Sequence, residues 1–308
     1  VGVSLTVATA NAHVPTDFRL YLPESWTESP ERRSEAQIPE DITFKTKPEL
    51  ALEMISKALE NGVSPGLLLA DAAYGNNAEF RRCVRIEGLD YAMGVQGSTT
   101  VWQMDSVGRT IGEPVAIATI AGSLGRRGYR KVTWRQGSKK KLSSHFAFDR
   151  VVLAQNDGYS ADEREVVWLV MEWRPGEEHP THFTVATLPD TIALKELVLR
   201  IKERWRTERV YEDAKGELGL DHFEGRSYRG WHHHVSVVIC CFAFIVAERL
   251  GAIPPCTENQ ASASRPRRRN RSLDGPSRAP LPKLIYNHPP RGLSGPRSMA
   301  TSLPAVSP

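Results

Sequence analysis

The stretch G-L-L-L-A-D-A-A-Y-G-N-N-A-E-F-R-R-C-V-R-I-E-G-L-D-Y-A-M-G-V, residues 66–95, decides the fold class. Gly66 to Ala70 is a short apolar run, which reads as a buried strand. Asp71 then stands at that strand's C-terminal end. Asn76 to Gly88 suits a helix, and Tyr91 to Val95 a second strand. Strand, helix and strand in that order imply a mixed α/β sheet. Side chains at the C-terminal ends of strands in such sheets face the crevice where sites form. Asp71 is therefore either a site carboxylate or the cap of the next helix.

Upstream, residues 1–9 alternate in β-rich fashion, as do Asp17 to Leu22, and a hairpin is expected. Pro48 to Asn61 has the apolar spacing of an amphipathic helix, stopped at Gly62. Downstream, from about Ser98 to Leu188, the chain is mostly short β-like runs: Val115 to Ile120, Val151 to Ala154, Val166 to Glu172 and Phe183 to Thr187. This reads as a β-rich insertion. Residues 191–218 form one long helix in this reading. Val235 to Leu250 is a second helix, apolar almost all round and so expected to pack in the core. Eleven of the 21 prolines lie in the last 58 residues, among Arg and Ser, which predicts a disordered tail.

The second acidic signal is R-W-R-T-E-R-V-Y-E-D-A-K, residues 204–215. Arg204, Glu208 and Lys215 fall on one helical stripe, because i,i+4 and i,i+7 positions project the same way. Such a carboxylate is either part of a solvated charged face or a metal ligand flanked by phosphate-binding cations. Magnesium prefers carboxylate and water oxygens, and phosphoryl transfer by two metals needs carboxylates converging from distant positions. A strand-end Asp and a helical Glu supply that layout.

The totals are permissive. The chain has 308 residues, 40% hydrophobic and 25% charged, with a net charge of +4. That suits a globular protein with a substantial core and allows a nucleic-acid partner without requiring one. Cys83, Cys240, Cys241 and Cys256 show no metal or disulfide spacing, which fits a reducing compartment. The apolar run Val235 to Val246 is too short to cross a bilayer, and no membrane partner is expected. G-R-R-G-Y-R-K-V-T-W-R-Q-G-S-K-K-K, residues 125–141, holds eight cations and no acid. Arg126, Arg127, Arg130, Lys131, Arg135, Lys139, Lys140 and Lys141 can neutralise phosphates, and Trp134 can stack on a base. A solvated hairpin with a half-buried Trp fits the same residues. His232, His233 and His234 do not make a chelate, since adjacent helical residues point about 100° apart. The R-P-R-R-R-N-R run at 265–271 has the charge for non-specific nucleic-acid binding.

These residues resemble a DDE-type insertion-sequence transposase of the group with a Tyr-Arg-Glu-Lys signature. Arg204, Glu208 and Lys215 match the signature's spacing, and Ile201 stands where it has Tyr. L-A-D-A-A-Y-G is similar to the family's second-aspartate motif, with Tyr74 beside Asp71. G-L-D-H-F-E-G-R-S-Y-R-G-W-H-H-H at 219–234 also resembles one transposase subgroup. The resemblance implies a ribonuclease-H-like mixed sheet with helices, interrupted by a β-rich insertion. The expected division is a first core part at 1–97, the insertion at 98–188, catalytic and packing helices at 189–250, and the disordered tail at 251–308.

It further implies DNA cleavage and strand transfer at mobile-element ends. Asp71 and Glu208 would be catalytic and bind Mg²⁺, with Mn²⁺ able to substitute. Arg204, Lys215 and Tyr74 would support them or contact phosphate. Trp134, Trp168 and Trp173 are candidates to stack on a displaced base. Double-stranded DNA, a homo-oligomeric active complex and a bacterial cytoplasmic, nucleoid-associated setting follow from the same resemblance. The family's first catalytic Asp belongs on a strand before the one that opens this chain, and Asp17 lies on the wrong element to replace it. The expectation is an N-terminally shortened, inactive enzyme, with a non-catalytic DNA-binding remnant as the alternative.

Overall fold

The computed structural model describes residues 2–136, 141–154, 164–251 and the backbone of residues 283–287. Strands β1 (Gly2–Ala8) and β2 (His13–Leu20) make the expected hairpin. Short helices α1 (Glu24–Thr27) and α2 (Pro30–Ala36) lead into α3 (Lys47–Glu60). A capping box starts α3: the Thr46 hydroxyl takes the Glu49 N–H, and the Glu49 carboxylate takes the Thr46 N–H at 2.6 Å. Ala51, Met54, Ile55 and Ala58 form its buried stripe.

The deciding stretch folds as read. Strand β3 (Leu67–Ala70) is followed by α4 (Ala72–Gly75), α5 (Ala78–Ile86) and β4 (Asp90–Val95), and β3 and β4 pair in parallel. Then come β5 (Thr100–Met104), β6 (Thr110–Ala116), α6 (Ile117–Ser123), β7 (Arg130–Gln136), β8 (Lys141–Leu153), β9 (Val166–Trp173) and β10 (His182–Ala186). Helices α7 (Leu194–Lys202), α8 (Trp205–Leu218) and α9 (Tyr228–Arg249) follow, and β11 (Lys283–Asn287) is last.

All the described strands join one mixed sheet, ordered β2-β1-β11-β3-β4-β10-β9-β8-β5-β6 with β7 on β8. The strands of the β-rich stretch extend the core sheet, because β10 pairs with β4 and β9 pairs with β10. Alternation along β3 builds two layers. Leu68 and Ala70 face a core shared with α3, α5 and α6. Leu67 and Leu69 face the side closed by α7. Helices α8 and α9 cover the hairpin on that second side, through Phe18, Tyr211 and Val235.

Four expectations need correction. Val115 to Ile120 is not one β run: β6 stops at Ala116, and Ile117, Ile120 and Ala121 are buried at helical spacing in α6. The long helix over 191–218 is two helices. At the joint, Glu203, Arg206 and Thr207 donate to carbonyls three residues back, and this tighter turn redirects the chain between α7 and α8. Helix α9 is not wrapped in core: only Val235, Val238 and Phe242 are buried, while Val237, Phe244 and Ile245 are exposed. Cys240 and Cys241 are exposed with them. Starting at Tyr228, α9 has 22 residues, which by length and composition would span a bilayer, contrary to the shorter run read from the sequence. The predicted tail and Cys256 fall outside the described residues, apart from Gly251 and the β11 backbone.

Candidate active site

Asp71 lies one residue beyond β3, and its placement depends on two glycines. A Cβ on Gly75 would collide with the Gly94 carbonyl oxygen, and one on Gly94 would come within 3.0 Å of the Ala72 nitrogen. Their absence lets α4 lie directly on β4. Asn76 fastens the turn: its amide donates to the Ala72 carbonyl at 2.7 Å, and its side-chain oxygen takes the Gln96 N–H at 3.0 Å. One Asp71 oxygen takes the Ala73 N–H at 2.9 Å, so the residue does cap the short helix. Capping uses Oδ1 and leaves the carboxylate partly exposed at the sheet's edge.

Glu208 is held from the opposite side. Thr207, Val210, Tyr211 and Ala214 are the buried face of α8. Tyr211 stacks edge-on against Phe18, and its hydroxyl meets Ser4 Oγ at 2.5 Å, tying α8 to β1. Burial pushes the Tyr211 phenol up to about 12, so it stays protonated. Glu208 thus sits outward in the first helical turn, where the helix dipole favours a carboxylate. Arg204 Nη2 lies 2.6 Å from Glu208 Oε1.

Asp71, Glu208 and Arg204 line one cleft of about 450 Å³ at the C-terminal edge of β3 and β4. Its floor is a pair that sequence reading missed. Lys202 Nζ lies 2.7 Å from both oxygens of Glu172, a buried residue on β9. The ammonium also lies over the Trp134 ring at 4.6 Å. Burial lowers the Lys202 pKa, and the Glu172 charge opposes that shift. The Lys202 and Glu172 positions carry no sequence motif, because the pair forms only when α7 closes over the sheet. Trp205 separates this cleft from a second cavity of about 540 Å³, and Glu208 borders both. The Arg135 guanidinium covers Trp205 at 4.1 Å.

The other predicted residues divide. Lys215 lies on α8 about 10 Å farther along the axis than Glu208, and it is not part of the cleft wall. Tyr74 departs from a phosphate-binding role: it is 0% exposed and packs on Phe80. Arg126, Arg127, Arg130, Lys131, Arg135 and Lys141 are exposed around β7 and the start of β8, whereas Lys139 and Lys140 lie outside the described residues. Trp134 lines the cleft and meets Phe146 edge-on. Trp173 is buried beneath Arg126, and Trp168 donates to the Pro189 carbonyl, so both are held by the fold. His232 and His234 hydrogen-bond the carbonyls of Tyr228 and Gly219.

Residues 1–141 match the family described as DDE superfamily endonuclease. The match spans Asp71 and the basic stretch and ends before Glu208, and it supports a DDE-type, transposase-like nuclease. No curated protein matches the chain. The family's enzymes generally use divalent metals. Two carboxylates bordering one cleft fit such an ion as a pair of hard ligands. Among the described residues, no third His, Cys, Asp or Glu joins them in a metal-holding group.

Proposed function

We propose that the cleft is the phosphoryl-transfer site of a DNA transposase that cuts and rejoins the ends of a mobile element. The observation that carries this reading is the meeting of Asp71 and Glu208 on one cleft from opposite layers, with Arg204 against Glu208. Asp71 and Glu208 would hold a divalent ion, Mg²⁺ or Mn²⁺. That ion would polarise the scissile phosphate and lower the pKa of a bound water. The chain's own part is to present carboxylates and to bind DNA. Arg204 grips a phosphate in bidentate fashion, and Arg126, Arg127, Arg130 and Lys131 offer further phosphate contacts along one exposed stretch. Trp134 is the one candidate for stacking on a base that borders the cleft. Duplex DNA in the bacterial cytoplasm, met by a homo-oligomer, completes the proposal. With Asp71 and Glu208 alone offered to the ion, and Glu172 engaged by Lys202, the chain cleaves weakly or not at all.

The test is nicking and joining of duplex DNA taken from the sequence flanking the coding segment, with Mg²⁺ or Mn²⁺. Metal-dependent product that disappears in Asp71→Asn and Glu208→Gln supports the reading. Product that persists in both variants sinks it. A second reading, a DNA-binding protein without chemistry, is favoured because no third carboxylate joins Asp71 and Glu208 in a metal-holding group among the described residues, Glu172 being paired with Lys202. It predicts binding that ignores Mg²⁺ and Glu208→Gln but falls steeply with salt.

A further inference from the structure

Helix α9 has two opposite faces. Val235, Val238 and Phe242 pack on α8 and the hairpin. On the far side Arg229, His233, Val237, Cys240, Phe244 and Glu248 are all exposed. Their steps of four, four, three, four and four residues keep them within an arc of about 100° over a length of about 28 Å.

The steps read the same from either end. Turned end for end about a point midway between Val238 and Ile239, the stripe lays Arg229 on Glu248, His233 on Phe244 and Val237 on Cys240. A two-fold contact between identical surfaces requires this self-complementarity. Each layer then matches in chemistry: opposite charges at the ends, imidazole against phenyl next, and two small apolar groups at the centre. Small central groups let helix axes approach to about 8–10 Å. A parallel pair in register would set Arg229 on Arg229 and Glu248 on Glu248, and like charges disfavour it. A bilayer suits the stripe less well. Helix α8 packs beside α9 and exposes Arg209, Glu212 and Glu217, which insertion of α9 would carry towards lipid.

We infer that the exposed stripe of α9 is covered by α9 of a second copy of this chain, packed antiparallel about a two-fold axis. This gives the homo-oligomer proposed above a surface, and it does not rest on the metal reading of Asp71 and Glu208. It brings Arg229 of the partner subunit to Glu248, next to Arg249 and Leu250, which border the cavity that Glu208 also borders. One helix pair is at the small end of specific interfaces, so the dimer forms at micromolar concentration and the monomer is folded without it.

The test is the mass of the full chain against concentration by analytical ultracentrifugation, with neither DNA nor metal present. A monomer–dimer equilibrium is expected. Phe244→Glu weakens it at least about a hundredfold, because it buries a charge at the seam, and leaves the circular dichroism spectrum unchanged because the site is exposed in the monomer. Arg229→Glu and Glu248→Arg each weaken it about tenfold, since each sets like charges together at both ends. Combining the two substitutions in one chain restores dimerisation, which damage to the fold would not do. A chain that stays monomeric up to about 0.1 mM overturns the inference, whether the stripe is then found on phosphatidylcholine vesicles or under another segment of the same chain. A dimer indifferent to Phe244→Glu also overturns it, because another surface then makes the contact. If the combined charge variant is no better than the single ones, the antiparallel arrangement fails.

Discussion

Leu67–Ala70 and Val235–Val246 look alike as apolar runs, yet the protein treats them oppositely. All four residues of β3 are buried, two into each core, because the strand lies between parallel neighbours with helices on both faces. Helix α9 meets α8 and the hairpin along a single stripe and leaves Phe244 57% exposed. Apolar composition records what a segment can bury. The number of surrounding layers decides what it does bury.

That contrast can be broken in four places. Leu68→Ala, at 0% exposure, costs about 4 kcal/mol through lost transfer energy and a cavity. Urea denaturation reads this, and a loss below about 1 kcal/mol would mean that β3 is not enclosed. At the cleft floor, Glu172→Ala leaves Lys202 without its carboxylate and costs about 2–3 kcal/mol, at or below the low end for a buried pair because Lys202 is partly exposed. Replacing both with apolar residues, Glu172→Leu with Lys202→Met, restores most of that loss. A double variant as unstable as the single one would deny the coupling.

The third prediction concerns acid. Burial is the leading cause that lowers the pKa of His13, His182 and His232 below 6.5. The folded form then binds fewer protons than the unfolded chain once pH drops below that value. Stability is therefore full above about pH 6.5 and falls as the pH drops through and below it. Urea midpoints at pH 7.5 and 5.5 show the fall, and His13→Asn shrinks it; a midpoint that rises on acidification contradicts the sign. The smallest effect is expected at Phe244→Ser, within about 0.5 kcal/mol of the unaltered chain. A loss of 2 kcal/mol or more there would place α9 in a core after all.

Much of the sheet was legible in the chain. Residues 66–95 carried the strand, turn, helix and strand in order, because each has its own local signal: an apolar run, a capping Asp, a helical period, a second apolar run. The pairing of Arg204 with Glu208 was legible for the same reason, since i,i+4 spacing is local. The break between α7 and α8 was not, because no Gly or Pro marks Glu203 and Arg204. Glu172 and Lys202 were hidden as well. Each looks like an ordinary charge until β9 and the end of α7 come together. The direction of Tyr74 was not legible, because a residue three positions past a strand-end carboxylate can turn either outward or, as here, into the core.

The position of β11 has a consequence for how this protein is made. Strands β1 and β3 leave the ribosome more than 200 residues ahead of the strand that lies between them, which begins at Lys283. Throughout that interval the nascent chain carries two facing rows of unpaired backbone donors and acceptors at the middle of its sheet. Such edges are templates for pairing with other chains. Closing this gap is also the longest-range strand pairing among the described residues, so it is expected among the slow events of folding. Yield in a cell should then depend on how long those edges wait, and less on the stability of the finished fold.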